Sequence, residues 1–292
     1  MFTSRSIAVK CLAVLATAAA VSAAVPPAGA QTPTVTASSS GGYLALGDSI
    51  AFGYNPLLDP SNGPSQYVGY PDLVAKSLGL AETNASCPGE ATGGFIHRNS
   101  PDDNGCETAW RALYRLHVNY ASSQLTYAVR YLRNHPHTRL VTLNVGANDV
   151  FHCQSVTSDQ CASEFPTTLQ TISRNLQTIY SAIRSVYSGR LVALTYYSTN
   201  YDEPAASALS QALNHVIAAR TAAAGGTVAD GYAAFGVIAS HFQGNPCTAG
   251  LLIKKPDGTC DVHPTALGQT VLALAVDVAV LHPAPAAGGA GR

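Results

Sequence analysis

Residues 139–149 read RLVTLNVGAND. A short apolar run closed by a Gly-Ala-Asn-Asp turn signal is the pattern of a strand buried on both faces. Such a strand needs cover on both sides, and helical patterns flank it. Upstream, residues 116–134 carry Leu125, Val129 and Leu132 on one face. Downstream, residues 167–186 carry Leu169, Ile172, Leu176, Ile179 and Ile183 in register. The alternation repeats outward. Residues 43–46 form a strand ending in Gly47, a second precedes Cys87, residues 190–197 form another and residues 226–229 a short one. Helices are expected over residues 66–78, 205–223 and 264–281, with Pro264 suited to a first-turn position. Short strands alternating with helices predict an α/β domain built on a parallel sheet wrapped on both faces. In that class ligands bind beyond the carboxyl ends of the strands.

The composition excludes several functions. Charged residues make up 11% of the 292 residues and the formal charge is −1, against a usual charged share of about 25%. Such a chain is neither a charged disordered protein nor a carrier of the positive field that nucleic-acid binding needs. None of the cysteines forms a Cys-x-x-Cys pair, which argues against common structural zinc sites and thioredoxin-type redox chemistry.

Residues 1–30 read as a secretory signal peptide. Arg5 and Lys10 form its positive start, residues 11–25 are uncharged, and Ala28-Gly29-Ala30 is an A-x-A cleavage site. The apolar run is shorter than the roughly 20 residues of a bilayer span. A secreted chain beginning at Gln31 is therefore expected, with no membrane insertion after cleavage. Its removal takes two bases and no acid, so the charge moves from −1 to −3. Residues 31–42 read as a flexible lead-in, 43–282 as one domain and 283–292 as a disordered Ala/Pro/Gly tail; nothing demands more than a monomer. Of the 7 cysteines, Cys11 leaves with the signal. The remaining even count on an exported chain implies disulfides, and six cysteines allow 15 connectivities. Spacing suggests three local pairs, Cys87–Cys106, Cys153–Cys161 and Cys247–Cys260, each worth about 2–3 kcal/mol on the chain-entropy account.

Chemistry-bearing residues fall where these strands end. The first strand runs into Gly47-Asp48-Ser49-Ile50, which exposes a serine on a turn; a serine hydroxyl needs a base to act as a nucleophile. The sequence is not the G-x-S-x-G elbow, because Ala51 stands in place of the second Gly. Asn148, after the 139–145 strand, can offer its side-chain NH₂ to an oxyanion. Asp261-Val262-His263-Pro264 places a histidine at a helix start with an acid nearby, the parts of a general base and its orienting group. Gly89, in Cys87-Pro88-Gly89-Glu90, has no Cβ, so its N–H can approach a ligand closely. Each element alone is a weak signal and suits an ordinary cap, turn or surface residue better.

Together and in this order they resemble the GDSL, or SGNH, hydrolases. ALGDSIAFG matches the family's GDS block, with Ile50 replacing Leu. Gly89 in SCPGEAT matches the second-block glycine, Asn148 in VGAND the third block, and His263 in DVHPTALGQ the fifth. The SCPGEAT and GANDVFHC stretches and the local cysteine pairs resemble secreted actinobacterial members. The resemblance spans about residues 43–281. It implies a three-layer α/β/α fold with a flavodoxin-like, five-stranded parallel sheet and an esterase or lipase activity without metal or organic cofactor. It further implies Ser49 as nucleophile, His263 as base, and an oxyanion hole of the Ser49 and Gly89 N–H groups and the Asn148 amide. The family usually places its acid three residues before the His. Here that position is Cys260, and Asp261 lies two before; some members use a backbone carbonyl instead. Asp261 is taken as the third triad member. All three cysteine pairs would brace loops carrying these residues.

The expected substrate is a small-molecule or lipid ester. Two rival readings keep the fold. One is a polysaccharide O-deacetylase, in which Tyr54, Tyr70, Phe95, Phe151, Tyr196, Tyr197 and Tyr201 line a sugar cleft rather than an acyl groove, although Trp110 is the only tryptophan. The other is a non-catalytic secreted binding protein, which predicts loss of Ser49, Asn148 or His263.

Overall fold

The structure is a computed structural model and describes residues 41–282. The expected export signal, residues 31–40 of the lead-in and the 283–292 tail lie outside the described residues. The main sheet comprises β1 (Gly42–Gly47), β2 (Ala81–Asn84), β3 (Thr138–Asn144), β4 (Arg190–Leu194) and β5 (Thr227–Ala229). Its order is β2-β1-β3-β4-β5 with every pairing parallel, the flavodoxin-like arrangement. Tyr43, Leu44, Ala45 and Leu46 are all fully buried. A central parallel strand covered on both faces reads as such a continuous apolar run, not as an alternating one.

Helices follow the strands as α1 (Ser49–Phe52), α2 (Tyr70–Leu78), α3 (Thr92–Ile96), α4 (Arg111–Leu113), α5 (Gln124–Asn134), α6 (Ala147–Val156), α7 (Phe165–Arg184), α8 (Pro204–Ala223), α9 (Gly231–Ala239) and α10 (Ala266–Leu281). Helices α2, α9 and α10 pack together on one face, and α3, α5, α6, α7 and α8 on the other, giving three α/β/α layers. An antiparallel ribbon, β6 (Leu252–Lys254) and β7 (Cys260–Pro264), precedes α10. Among the described residues no helix is long and apolar enough to cross a membrane.

Several boundaries differ from the sequence pattern, each for a local reason. The helix expected from residue 116 begins at Gln124, because the Asn119 side chain accepts from Leu116 N (3.2 Å) and the Ser123 hydroxyl caps the helix. The helix expected from residue 66 begins at Tyr70, where the Asp72 carboxylate accepts from Gly69 N at 2.9 Å. The strand expected to reach Tyr197 stops at Leu194. Asn214 of α8 takes over both backbone groups of Tyr196, accepting from its N (2.8 Å) and donating to its O (2.6 Å). Pro264 does not start the last helix. It ends β7 opposite Leu252, and the Thr265 hydroxyl caps α10. His263 is thus held on a strand and not at a helix start. The Gly146-Ala147-Asn148-Asp149 turn signal marks the start of α6, with Gly146 before its first residue.

Candidate active site

The carboxyl end of β1 sets the geometry. Gly47 has φ +143°, and a Cβ there would lie 2.3 Å from Asn144 O on the neighbouring strand. Only glycine permits this turn at this distance. Gln124 of α5 fixes the turn, accepting from Gly47 N (2.6 Å) and donating to Gly47 O (3.0 Å). Asp48 caps α1, accepting from Ile50 N at 2.9 Å, and also accepts from the Tyr196 hydroxyl at 2.6 Å. Burial pushes the Asp48 carboxyl up to about 6, and these two bonds restrain the shift. Ser49 follows as the first residue of α1. From the other side Gln269 of α10 donates to Ile50 O (3.2 Å) and accepts from Tyr70 N (2.8 Å), tying the serine turn to α2.

The β6–β7 ribbon brings His263 to this turn, 214 positions away in sequence. Its Nε2 lies 2.9 Å from Ser49 Oγ. Its Nδ1 is hydrogen-bonded to Asp261 Oδ1, which also accepts from His263 N at 3.0 Å. The side chain of Asp261, rather than a backbone carbonyl, therefore meets the ring. Burial raises the Asp261 carboxyl, but its bonds to the His263 ring and backbone outweigh this and hold it below the ordinary carboxylate range. The Tyr197 hydroxyl donates to Val262 O (2.6 Å), and the Cys247–Cys260 disulfide anchors the start of β7. Tyr54 packs edge-on to the His263 ring at 4.7 Å between centroids.

Gly89 and Asn148 arrive from the ends of β2 and β3. Gly89 has φ +83°, and a Cβ would lie 2.5 Å from Asn104 O. The glycine is required by the close approach of the 104–106 backbone, which the Cys87–Cys106 disulfide holds, as well as by any ligand. The N–H groups of Ser49 and Gly89 have no protein acceptor among the described residues. Asn148 Nδ2 donates to Glu90 O (3.0 Å), and its Oδ1 accepts from Asn104 Nδ2 at 2.8 Å. Asn104 and Glu90 O together set which way the Asn148 amide faces. Cys153 lies on α6, and its bond to Cys161 braces the segment that follows.

These groups border a cavity of about 890 Å³ lined by Ser49, Gly89, Asn104, Asn148 and His263 together with many apolar side chains. Of the aromatic residues singled out above, Tyr54, Phe151, Tyr196 and Tyr197 line it. Tyr70 and Phe95 are instead fully buried core, and Tyr201 packs on Tyr232. Trp110 and Tyr114 also line it. Asn104, Gln124 and Gln269 were not evident in the sequence. A glutamine among the apolar residues of an expected helix is the available signal for the last two, which are 0% and 3% exposed. Among the described residues, one cluster has metal-ligand spacing, Cys87, Glu90 and Cys106. Both its sulfurs are spent in a disulfide and offer no thiolate.

Comparison with known proteins decides the family. The GDSL-like Lipase/Acylhydrolase family matches residues 45–271. The chain belongs to this family. It is a hydrolase of the esterase/lipase type. Solved structures similar to this hydrolase include phospholipase A1 from Streptomyces albidoflavus NA297, with 23% identity, covering 82% of this chain and 98% of the other, TM-score 0.55. An extracellular lipase from Streptomyces rimosus has 22% identity and covers 82% and 100%, TM-score 0.57. Axe2, an acetylxylan esterase from Geobacillus stearothermophilus, has 17% identity and covers 82% and 93%, TM-score 0.51. At these identities the likeness is one of fold. No curated protein matches the hydrolase.

Proposed function

We propose that this hydrolase is a secreted serine esterase that cleaves carboxylic esters through an acyl-enzyme. The observation that carries the reading is the continuous chain from Ser49 Oγ to His263 Nε2 (2.9 Å) and from His263 Nδ1 to Asp261, at the edge of an apolar cavity. Ser49 Oγ attacks the ester carbonyl as His263 Nε2 takes its proton. The Ser49 and Gly89 N–H groups and the Asn148 amide bind the oxyanion. The tetrahedral species collapses, His263 gives its proton to the leaving alkoxide, and the alcohol departs. Water then attacks the acyl-Ser49 ester with His263 as base, releasing the acid and restoring the serine. Asp261 holds the ring tautomer with Nδ1 protonated and stabilises the imidazolium. No step calls on a metal or organic cofactor.

A sugar ester fits less well. Trp110 is 7% exposed and packed among Phe52, Tyr54 and Tyr67, which leaves little of its ring free to stack on a pyranose. The three disulfides support folding in an oxidising compartment and hence export with removal of residues 1–30. Residues 43–282 are then the hydrolase domain of a monomer. Ser49→Ala should abolish turnover of p-nitrophenyl butyrate in a protein that keeps its melting temperature. Wild-type turnover in that variant would overturn the reading.

A further inference from the structure

The strand order divides the catalytic cavity into two flanks. Ser49 follows β1. The 104–114 segment lies beyond β2 on one side, while α6 and α8 follow β3 and β4 on the other. The first flank is built from Tyr54, Trp110, Leu113 and Tyr114. The second is built from Val150 and Phe151 on α6 and Leu209 and Leu213 on α8. A second cavity of about 480 Å³ shares Val150, Gln154 and Leu209 with it and continues along α8. Its floor is Ala205, Ala208 and Ala212, which repeat at helical spacing on one face of α8. Its outer wall holds Cys161 and Phe165, and no charged side chain lines it. Gln160 and Cys161 both have positive φ (54° and 69°), and the disulfide to Cys153 ties this wall to α6.

Chemistry decides which half of the ester enters this second flank. His263 must protonate the leaving oxygen, and Tyr54 of the first flank packs against the His263 ring. The alcohol therefore leaves along the Tyr54 flank, and the acyl chain is directed to the α6–α8 flank. We propose that the groove between α8 and the Cys153–Cys161 segment seats the distal part of the acyl chain. The substrates are then medium- and long-chain fatty acyl esters, and the α8 alanines set the accepted length. The proposal rests on Ser49 as nucleophile. Each methylene transferred from water into such a groove is worth about fourfold in kcat/KM.

The test measures kcat/KM for p-nitrophenyl acetate, butyrate and decanoate with wild type, Ala208→Phe, Ala212→Trp and Ser49→Ala. Ala208 is exposed, so its replacement leaves the fold intact. Wild type is expected to favour decanoate over acetate by tenfold or more. Either groove-filling variant should lose at least tenfold on decanoate and stay within twofold on acetate. Three results would overturn the groove: a profile that falls from acetate to decanoate, equal losses on both esters, or no change on either. Full activity of Ser49→Ala on acetate would instead overturn the catalytic reading itself, whatever the chain-length profile.

Discussion

Replacing Asp149 by Asn isolates the cost of one buried charge. Asp149 sits in the first turn of α6, is 5% exposed, and accepts from Thr92 N at 2.9 Å; its other oxygen meets the Thr92 hydroxyl. No base pairs with it. Burial pushes its carboxyl up to about 7 from an ordinary 3.8, with the Thr92 bonds restraining the shift. The sign follows from proton binding. Between pH 3.8 and 7 the folded protein keeps a proton that the unfolded chain releases, so stability falls as pH rises through that window. Its slope is about 1.4 kcal/mol per pH unit, so the two pH units between 5 and 7 remove about 3 kcal/mol. An Asn can accept from Thr92 N and donate to the Thr92 hydroxyl, matching the protonated acid without titrating. The stability of Asp149→Asn relative to wild type should therefore rise by about 3 kcal/mol from pH 5 to 8. Asp48 and Glu90 are also raised by burial, but they titrate alike in both proteins and cancel. Urea unfolding with the disulfides intact reads the difference at each pH. A constant offset between the two proteins across the range would refute the reasoning.

Asp261→Asn removes the charge that orients His263; kcat should fall at least tenfold, towards the roughly 10⁴ typical of a lost triad aspartate, and a smaller fall would mean that the backbone orients the ring. Asn104→Ala frees the Asn148 amide to turn; it should lower kcat about tenfold in wild type but hardly at all in an Asn148→Ala background, and equal falls in both would separate the two residues. Gly89→Ala places a Cβ against Asn104 O at a strained φ, so the melting temperature should drop by roughly 4 °C or more; an unchanged value would contradict the packing described.

The sheet was legible because a parallel strand buried on both faces has no polar alternation to confuse it: residues 139–145 and 43–46 announce β3 and β1 directly. Helix starts were less legible. The apolar spacing of residues 116–134 continues past the point where Asn119 and Ser123 divert the backbone, since periodicity does not register a side chain competing for a main-chain group. Pro264 misled for a different reason. A proline suits a helix start and an extended segment equally, and only the pairing with Leu252 separates them. Ser49, Asn148 and His263 stand at strand ends and in short motifs, so a motif finds them. Asn104 does not, because its partner lies 44 positions away and is brought to it by the Cys87–Cys106 turn. The aromatic residues were ambiguous in sequence, because core and cavity wall draw on the same residue types; only position relative to Ser49 sorts Tyr54 from Tyr70.

Ser49 is the nucleophile of the proposed mechanism. Treating the native protein with a fluorophosphonate and mapping the adduct by peptide mass spectrometry tests it most directly. A single phosphonylated residue, Ser49, appearing in step with loss of esterase activity is the predicted result. Inactivation with the adduct on another residue, or full activity retained after complete labelling of Ser49, would contradict the account.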